Sequence, residues 1–273
     1  MSTEGGAPRR TGAQEQFGRQ AQFYSSSVGH SSGESLQVVR EWASGARYPR
    51  AVDVATGTGF TAFTIAPYAD WVVASDLTPE MIAETRRLAT ERGVGNLGYA
   101  LAAAEDLPFA DASLDLLTCR IAPHHFMNLG KAITEWRRVL APGAVLILAD
   151  TCSPEDAPTS VWMNDVEERR DPSHVSNLSP SGWLEVLEEN GLYPTDSTLT
   201  NVPHDFDDWV RRSGTPADVV EGLRRDFLNA PRGAVEAFDI RQDGNGAISF
   251  KWDCVVVKAI RGVDNRAAGD GAV

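Results

Sequence analysis

The sequence has few cysteines, and it has no long apolar run. Cys119, Cys152 and Cys254 are widely spaced and odd in number, which is typical of reduced thiols rather than of a disulfide framework. No stretch of about 18 consecutive apolar residues occurs, so no transmembrane helix is predicted. Residues 1–16 are polar and lack the apolar core of a secretory signal. We therefore expect a cytoplasmic protein that does not contact membranes.

Positive charge is also scarce. The 273 residues include 38 acidic and 25 basic side chains, so the net charge is -13, and only three of the basic residues are lysines. A nucleic-acid-binding surface needs a basic face to offset the phosphate charge. The charge balance therefore argues against DNA or RNA as a partner and favours a small-molecule ligand. The bias toward arginine is typical of a high-GC bacterial gene.

The most informative stretch is RAVDVATGTGFTAF, residues 50–63. Residues 51–55 read as a short apolar strand and residues 60–69 as the helix that follows it. Gly57 and Gly59 lie between them and predict a tight turn, because a residue without a Cβ lets the backbone turn sharply and lets a ligand lie against it. A strand, a glycine turn and a helix N-terminus form a ligand cradle in open α/β sheets.

Two kinds of ligand suit this turn. Gly57, Gly59 and Ala62 satisfy the dinucleotide pattern G-x-G-x-x-G/A, and Asp76 follows at the distance of a ribose-binding acid. Asp53, four residues before Gly57, argues against a dinucleotide, because a carboxylate beside a pyrophosphate is repelled by it. A ligand that carries an ammonium group and a sulfonium would instead be attracted to that carboxylate, and we favour this interpretation.

The D-x-x-x-G-x-G pattern, with an acid at the end of the next strand, resembles motif I and the ribose acid of class I S-adenosylmethionine (SAM) methyltransferases. A second run is more specific: E-D-L-P-F, then S-L-D-L-L, then H-H-F, between residues 105 and 126. It is similar to the signature of the type 11, or ubiquinone/menaquinone C-methyltransferase-like, family. The resemblance implies SAM as the cofactor and O- or C-methylation of a small organic acceptor, in bacterial specialised metabolism.

The alternation of apolar strands with helical segments predicts a mainly parallel sheet covered on both faces. With the resemblance, this predicts an α/β fold: a Rossmann-like, seven-stranded, mainly parallel sheet with an antiparallel last strand, helices on both faces, and a helical insertion or lid. The last strand, residues 248–260, is expected at the sheet edge, antiparallel to the sixth strand.

Residues 16–261 are predicted to form the methyltransferase domain, between a disordered N-terminus, residues 1–15, and a disordered tail, residues 262–273. Within it, residues 16–45 are expected to form an N-terminal lid helix region, and residues 152–178 and 204–236 are expected to be substrate-side insertions. By resemblance the segment around Tyr24 folds over the cofactor. The alternative is a surface loop before a packing helix.

The resemblance also implies the cofactor contacts. Asp76 would bind the ribose hydroxyls, Leu77 and Met81 the adenine face, and Arg120 the methionyl end, largely through its backbone. Ordinary helix-to-sheet packing is the alternative for Leu77 and Met81. The full set of predicted cofactor-binding residues is Tyr24, Asp53, Ala55, Gly57, Thr58, Gly59, Asp76, Leu77, Met81, Ala104, Glu105 and Arg120.

Two positions depart from the family pattern. Ala55 stands where the family usually has glycine, and its methyl group is expected to narrow the pocket. Ala103 stands where an acid is frequent, which removes one possible contact to adenine. Both departures are compatible with SAM, and together they are expected to weaken its affinity.

A hydroxyl acceptor requires a base that titrates near neutrality, and histidine is the natural one. His125 follows the fourth predicted strand, where the methyl group should point, and is the first candidate for the catalytic base. His174 is the second, and His30 and His204 remain as others. A structural hydrogen-bonding role is the alternative for each. Asp150 and Asp171 could hold a metal, but no further ligand supports one, and no metal is predicted.

Other functions remain open from the sequence. The fold could bind SAM as a structural ligand and catalyse a cyclisation or elimination without methyl transfer. It could also bind SAM without catalysis. A nicotinamide-dependent oxidoreductase is a less favoured interpretation of the glycine turn. The sequence makes no prediction about the oligomeric state.

Overall fold

The computed structural model describes residues 33–263, and Tyr24 and most of the predicted lid region lie outside this range. The chain alternates strands with helices. The strands are β1 (Tyr48–Val54), β2 (Ala69–Asp76), β3 (Leu97–Leu101), β4 (Leu114–Arg120), β5 (Leu140–Cys152), β6 (Leu192–Asp205), β7 (Arg241–Gln242) and β8 (Ile248–Arg261). The helices are α1 (Glu34–Ala43), α2 (Phe60–Ile65), α3 (Pro79–Arg92), α4 (Leu129–Val139), α5 (Ala157–Arg170), α6 (Pro180–Glu189), α7 (Phe206–Ser213), α8 (Ala217–Leu228) and α9 (Arg232–Phe238). Short 3-10 turns follow α2 and β4, at Ala66–Tyr68 and Pro123–His125.

All eight strands join one sheet, in the order β3-β2-β1-β4-β5-β8-β6, and β7 pairs with β8. Strands β1 to β5 are parallel, and β8 is antiparallel to both β5 and β6. The predicted mainly parallel sheet with an antiparallel last strand is therefore confirmed, with the two-residue β7 as an addition.

The expected edge position of the last strand is wrong, because β8 lies between β5 and β6. The run Cys254–Val257 explains the difference. Its four side chains are buried and belong alternately to the cores on the two sides of the sheet. A strand that is apolar on both faces is stable only inside a covered sheet. The more polar β6, most of whose side chains are partly or fully exposed, takes the edge.

Helices cover both faces of the sheet, as predicted. One core packs α4 and α6 against the sheet through Trp136 and Trp183, and the other packs α1 to α3 through Val39, Phe63 and Leu88. The three cysteines are buried and unpaired, in agreement with the sequence. None of the helices within residues 33–263 combines the length and the apolar character that crossing a membrane requires.

A third core lies beside the sheet, where α5 and α7 to α9 pack around the start of β8. It is rich in aromatic rings, among them Trp209, Phe227, Phe250 and Trp252. Beside these rings the buried acid Glu167 accepts a hydrogen bond from the Trp252 indole and pairs with Arg170. The buried apolar side chains of residues 204–236 belong to this core.

Candidate active site

The site begins at the turn after β1, which a carboxylate from β2 holds in place. One oxygen of Asp76 accepts a hydrogen bond from the backbone N–H of Gly57, at 2.9 Å, and the other accepts one from the N–H of Thr78, also at 2.9 Å. Burial raises the pKa of Asp76, and these donors oppose that shift. Asp76 thus joins the ends of two adjacent strands.

The two glycines of the turn have different functions. Both have positive φ, +55° at Gly57 and +89° at Gly59. A Cβ on Gly57 would meet no atom within 4 Å, whereas a Cβ on Gly59 would lie 2.6 Å from Thr85 Cγ2 and 2.7 Å from Phe63 Cζ. Gly57 therefore leaves room for a ligand, and Gly59 allows α2 and α3 to pack closely.

This difference predicts unequal effects of alanine at the two positions. Each substitution forces a left-handed residue, at a cost of about 1–2 kcal/mol. Gly59→Ala adds overpacking against Phe63 and Thr85, about 1–3 kcal/mol more. We therefore expect Gly59→Ala to lower the free energy of unfolding clearly more than Gly57→Ala in urea titrations, while Gly57→Ala lowers ligand affinity. Equal losses of stability would contradict this division.

Asp53, a predicted cofactor-binding residue, does not line the cavity that opens above this turn. The side chain is fully buried, and its oxygens accept hydrogen bonds from the hydroxyls of Thr56, at 2.6 Å, and Thr118, at 2.7 Å. Burial raises the pKa of Asp53 to about 6, although these hydrogen bonds lower it. Asp53 therefore links the turn, through Thr56, to β4, through Thr118.

A cavity of about 450 Å³ opens above this turn, at the carboxyl ends of β1, β2 and β4. This volume is within the usual range for a small-molecule site. Most of the predicted site residues that lie within the described chain line it. They are Ala55, Gly57, Thr58, Asp76, Leu77, Met81, Ala104, Glu105, Arg120, His125 and His174; Asp53 and Gly59 do not line it.

Sequence reasoning missed several apolar wall residues, including Phe60, Ile121, Met127 and Val175. The position of Phe60, directly after the glycine turn, could have identified it. Ile121 has a φ of +53°, which is rare for a β-branched residue, and Ala55 has a φ of +52°. Backbone strain of this kind concentrates at functional sites, and no local sequence pattern marks Ile121 in advance.

His125 reaches the cavity from the 3-10 turn after β4, and its hydrogen bonds determine its tautomer. Nδ1 lies 3.1 Å from the Ser173 carbonyl oxygen and 3.1 Å from the Ser173 hydroxyl. The carbonyl can only accept, and the hydroxyl donates its proton to Asp171. Nδ1 therefore carries the proton, and the lone pair of the neutral ring is on Nε2. Burial, and then the charge of His124, hold the pKa of His125 well below its usual value.

His174 has the opposite tautomer. Its Nε2 lies 3.0 Å from Asn164 Oδ1, which also accepts the Asn177 N–H, while the Asn164 amide nitrogen donates to the carbonyls of Ser160 and Asn177. His174 Nε2 must therefore donate, which leaves the lone pair on Nδ1. Nδ1 is buried and has no hydrogen-bond partner among the described residues. Burial lowers the pKa of His174 to about 4.

His124 lies under these two rings and does not line the cavity. Its Nδ1 donates to Asp150, at 2.7 Å, and its backbone N–H donates to the other Asp150 oxygen, at 2.9 Å. Burial disfavours the charged form of His124, but the Asp150 carboxylate outweighs this effect and raises its pKa. The carboxylates of Asp150 and Asp171 thus accept hydrogen bonds from His124 and Ser173, respectively. Residues 33–263 contain no group of three potential metal ligands.

The first predicted insertion contributes to the cavity and the second does not. Residues 172–175, within 152–178, form one wall. The backbone N–H of Val175 donates to the His124 carbonyl at 2.8 Å, which ties this loop to the end of β4. No residue of 204–236 is among the lining residues of this cavity. That segment belongs to the aromatic core, because its apolar side chains find partners there.

Comparison with known proteins identifies the family. The methyltransferase domain family matches residues 52–148. An uncharacterised methyltransferase of Bacillus subtilis, YcgJ, is 34% identical over 246 residues, which cover 90% of this chain and 97% of that protein. The chain belongs to the SAM-dependent methyltransferases. Its cofactor is therefore SAM, which this family uses.

Solved structures agree with this assignment. The crystal structure of B. subtilis YcgJ matches this methyltransferase with a TM-score of 0.79 over 84% of this chain and 98% of that chain. A putative methyltransferase of Bacillus halodurans, BH2331, also gives a TM-score of 0.79, at 31% identity, over 84% of this chain and 99% of that chain. The [4+2]-cyclase SpnF, at 19% identity and a TM-score of 0.55, shares the fold alone.

Proposed function

We propose that this methyltransferase methylates a small organic acceptor with an acidic hydroxyl group, such as a phenol or an enol, on its oxygen or on the adjacent activated carbon. The observation that carries the proposal is that residues from both sides of β1 line one cavity. Asp76 ends β2 on one side of β1, and His125 follows β4 on the other, with His174 also among the lining residues. Both imidazoles favour an acceptor with a hydroxyl group that can be deprotonated.

The cofactor half of the cavity fits SAM. Asp76 lines the cavity at the end of β2, and its carboxylate would accept hydrogen bonds from the two ribose hydroxyls. Gly57 leaves the space in which the ligand would cross the turn. We assign the adenine side to Leu77, Met81 and the backbone near Ala104. When bound, SAM supplies a methyl group that its sulfonium already activates.

In the acceptor half, we assign His125 as the general base. Its lowered pKa keeps the ring neutral at pH 7, and its hydrogen bond to Ser173 places the ring proton on Nδ1, so Nε2 is the nitrogen that would receive the hydroxyl proton. The Ser173 carbonyl would then stabilise the protonated ring. His174 lines the same cavity and would lie beside the bound acceptor.

The remaining wall supports an apolar, uncharged acceptor. Phe60, Ile121, Phe126, Met127 and Val175 line the cavity and supply mainly hydrocarbon surface. Arginines of the nearby helix α5 are already paired with acids, Arg169 with Asp165 and Arg170 with Glu167, and so are not available to an anionic acceptor. A role in bacterial specialised metabolism remains a prediction from the sequence.

The test is incubation of the purified protein with a panel of phenolic and enolic metabolites and methyl-labelled SAM. We expect one group of these acceptors to yield labelled product with one equivalent of S-adenosylhomocysteine (SAH) per product. Conversion without SAH would instead support a non-methylating enzyme, a possibility that the shared fold of SpnF keeps open. SAM binding without conversion of any acceptor would favour a binding function.

A further inference from the structure

Asp171, the residue that follows α5, is a buried acid that holds one residue of the cavity wall. Its Oδ1 accepts a hydrogen bond from the hydroxyl of Ser173, at 2.6 Å, and another from the backbone N–H of Ser173, at 2.9 Å. Asp171 is only 2% exposed and is not among the residues that line the cavity, whereas Ser173 is. The carboxylate therefore fixes Ser173 from behind the cavity wall.

These contacts determine where the Ser173 hydroxyl proton points. An ionised carboxylate can only accept, so the hydroxyl directs its one proton at Asp171 and presents its lone pairs elsewhere. His125 Nδ1 lies 3.1 Å from this hydroxyl oxygen and 3.1 Å from the Ser173 carbonyl oxygen. Nδ1 thus faces two acceptors, and a ring with its proton on Nδ1 satisfies both. The opposite tautomer would direct the Nδ1 lone pair at two oxygen lone pairs.

Without the carboxylate, the same hydroxyl could act in the opposite way. A serine hydroxyl is a donor as well as an acceptor, and it rotates to suit its neighbours. Once released from Asp171, the Ser173 hydroxyl can turn its proton toward Nδ1 of His125. Nδ1 then accepts this hydrogen bond with its lone pair, and the ring proton moves to Nε2. Asp171 therefore decides whether Ser173 favours the Nδ1–H tautomer or competes with it.

Other contacts hold the chain on both sides of this pair. The backbone N–H of Val175 donates to the His124 carbonyl at 2.8 Å, and the Thr215 hydroxyl donates to the Arg170 carbonyl at 2.9 Å. Neither hydrogen bond uses the side chain of Asp171. Removal of that side chain is therefore expected to change the direction of the hydroxyl without displacing the whole loop.

We propose that Asp171 is a positioning residue, which keeps the proton of the neutral His125 ring on Nδ1 by directing the Ser173 hydroxyl proton away from the ring. The inference rests on the proposed role of His125 as general base. The hydrogen bond at one ring nitrogen sets the protonation of the other, and a base that acts through Nε2 must carry its proton on Nδ1. Because only this tautomer can accept the proton, kcat should be proportional to its fraction.

The test is the tautomer of His125 in protein labelled with ¹⁵N-histidine, because the ¹⁵N chemical shifts of Nδ1 and Nε2 show which nitrogen carries the proton. The protein has five histidines, and His125→Gln identifies the signals of this ring. At pH 8, where the ring is neutral, we expect wild-type protein to show Nδ1–H. Asp171→Asn should show the same tautomer, since its amide oxygen still accepts the hydroxyl proton.

The alanine variants should separate the hydroxyl from the loop. Asp171→Ala should shift the tautomer ratio roughly 5- to 30-fold toward Nε2–H, as one exchanged hydrogen bond implies. The double variant Asp171→Ala/Ser173→Ala should return the ring of His125 to Nδ1–H, because the competing hydroxyl is gone and the carbonyl at position 173 remains. A general disruption of the loop could not be repaired by a second truncation.

Asp165→Ala is the matched control, because Asp165 is an exposed acid of the same helix that pairs with Arg169, and it should leave the tautomer unchanged. An unchanged ratio in Asp171→Ala overturns the inference, and so does a double variant that keeps the ratio of Asp171→Ala. These measurements need no acceptor. If the tautomer changed as expected while kcat stayed equal in all variants, the positioning effect would stand and the assignment of His125 as the base would fail.

Discussion

Replacing Asp76 by alanine is expected to weaken SAH binding by about 1–3 kcal/mol, which corresponds to roughly 5- to 150-fold in the dissociation constant. The loss has two physical sources. The ribose hydroxyls lose a charged acceptor, and the N–H groups of Gly57 and Thr78 lose the partner that holds the turn. Isothermal titration calorimetry of the variant and of wild-type protein measures the effect.

A second ligand pair separates these two sources. Adenosine should bind wild-type protein more tightly than 2′,3′-dideoxyadenosine, and this preference should disappear in Asp76→Ala. Asp70→Ala is the control, because Asp70 lies on the same strand, is exposed, and pairs with Arg47 away from the site. If the variant kept the full preference for adenosine, Asp76 would act through the turn alone and the ribose assignment would be wrong.

Replacing His125 by alanine is expected to lower kcat about 10²- to 10⁴-fold, the usual contribution of a general base. The dissociation constant of SAH should stay within about threefold, because His125 belongs to the acceptor end of the cavity. Steady-state kinetics with an acceptor from the phenol panel, together with calorimetry, measure both quantities. His204→Gln is the control, because His204 stacks on Phe250 outside the cavity.

The pH dependence provides a further signature of His125. The neutral ring accepts the proton, so activity falls where the ring becomes protonated. Because burial and the charge of His124 hold the pKa of His125 well below its usual value, kcat should remain constant from pH 8 to pH 6.5 and fall only at lower pH. His124→Gln removes the neighbouring charge and should move the acid limb to higher pH. If the acid limb of the pH profile were the same in wild-type protein, in His125→Ala and in His124→Gln, the titration would belong to another group.

The glycine turn, the Asp76 acid and the histidine after β4 could be predicted from the sequence because each depends on neighbours close in the chain. A strand, two glycines with positive φ and a helix start follow one another within residues 51–65, and the local backbone decides their arrangement. The run of apolar strands likewise determines a covered parallel sheet. The position of β8 in the sheet depends instead on tertiary packing. Only a position inside the covered sheet buries the side chains of Cys254–Val257 on both faces.

The sequence by itself therefore determined the fold class, the cofactor and the strand ends that line the cavity. Only the tertiary structure decided how side chains far apart in the chain meet. The register between β1 and β4 places Thr118 beside Asp53, 65 residues away, so that this carboxylate accepts a hydrogen bond from the Thr118 hydroxyl and does not line the cavity. The loop at residues 172–175 likewise reaches back over the end of β4, where Ser173 sets the tautomer of His125. Such pairings depend on packing between distant segments, which no local pattern encodes.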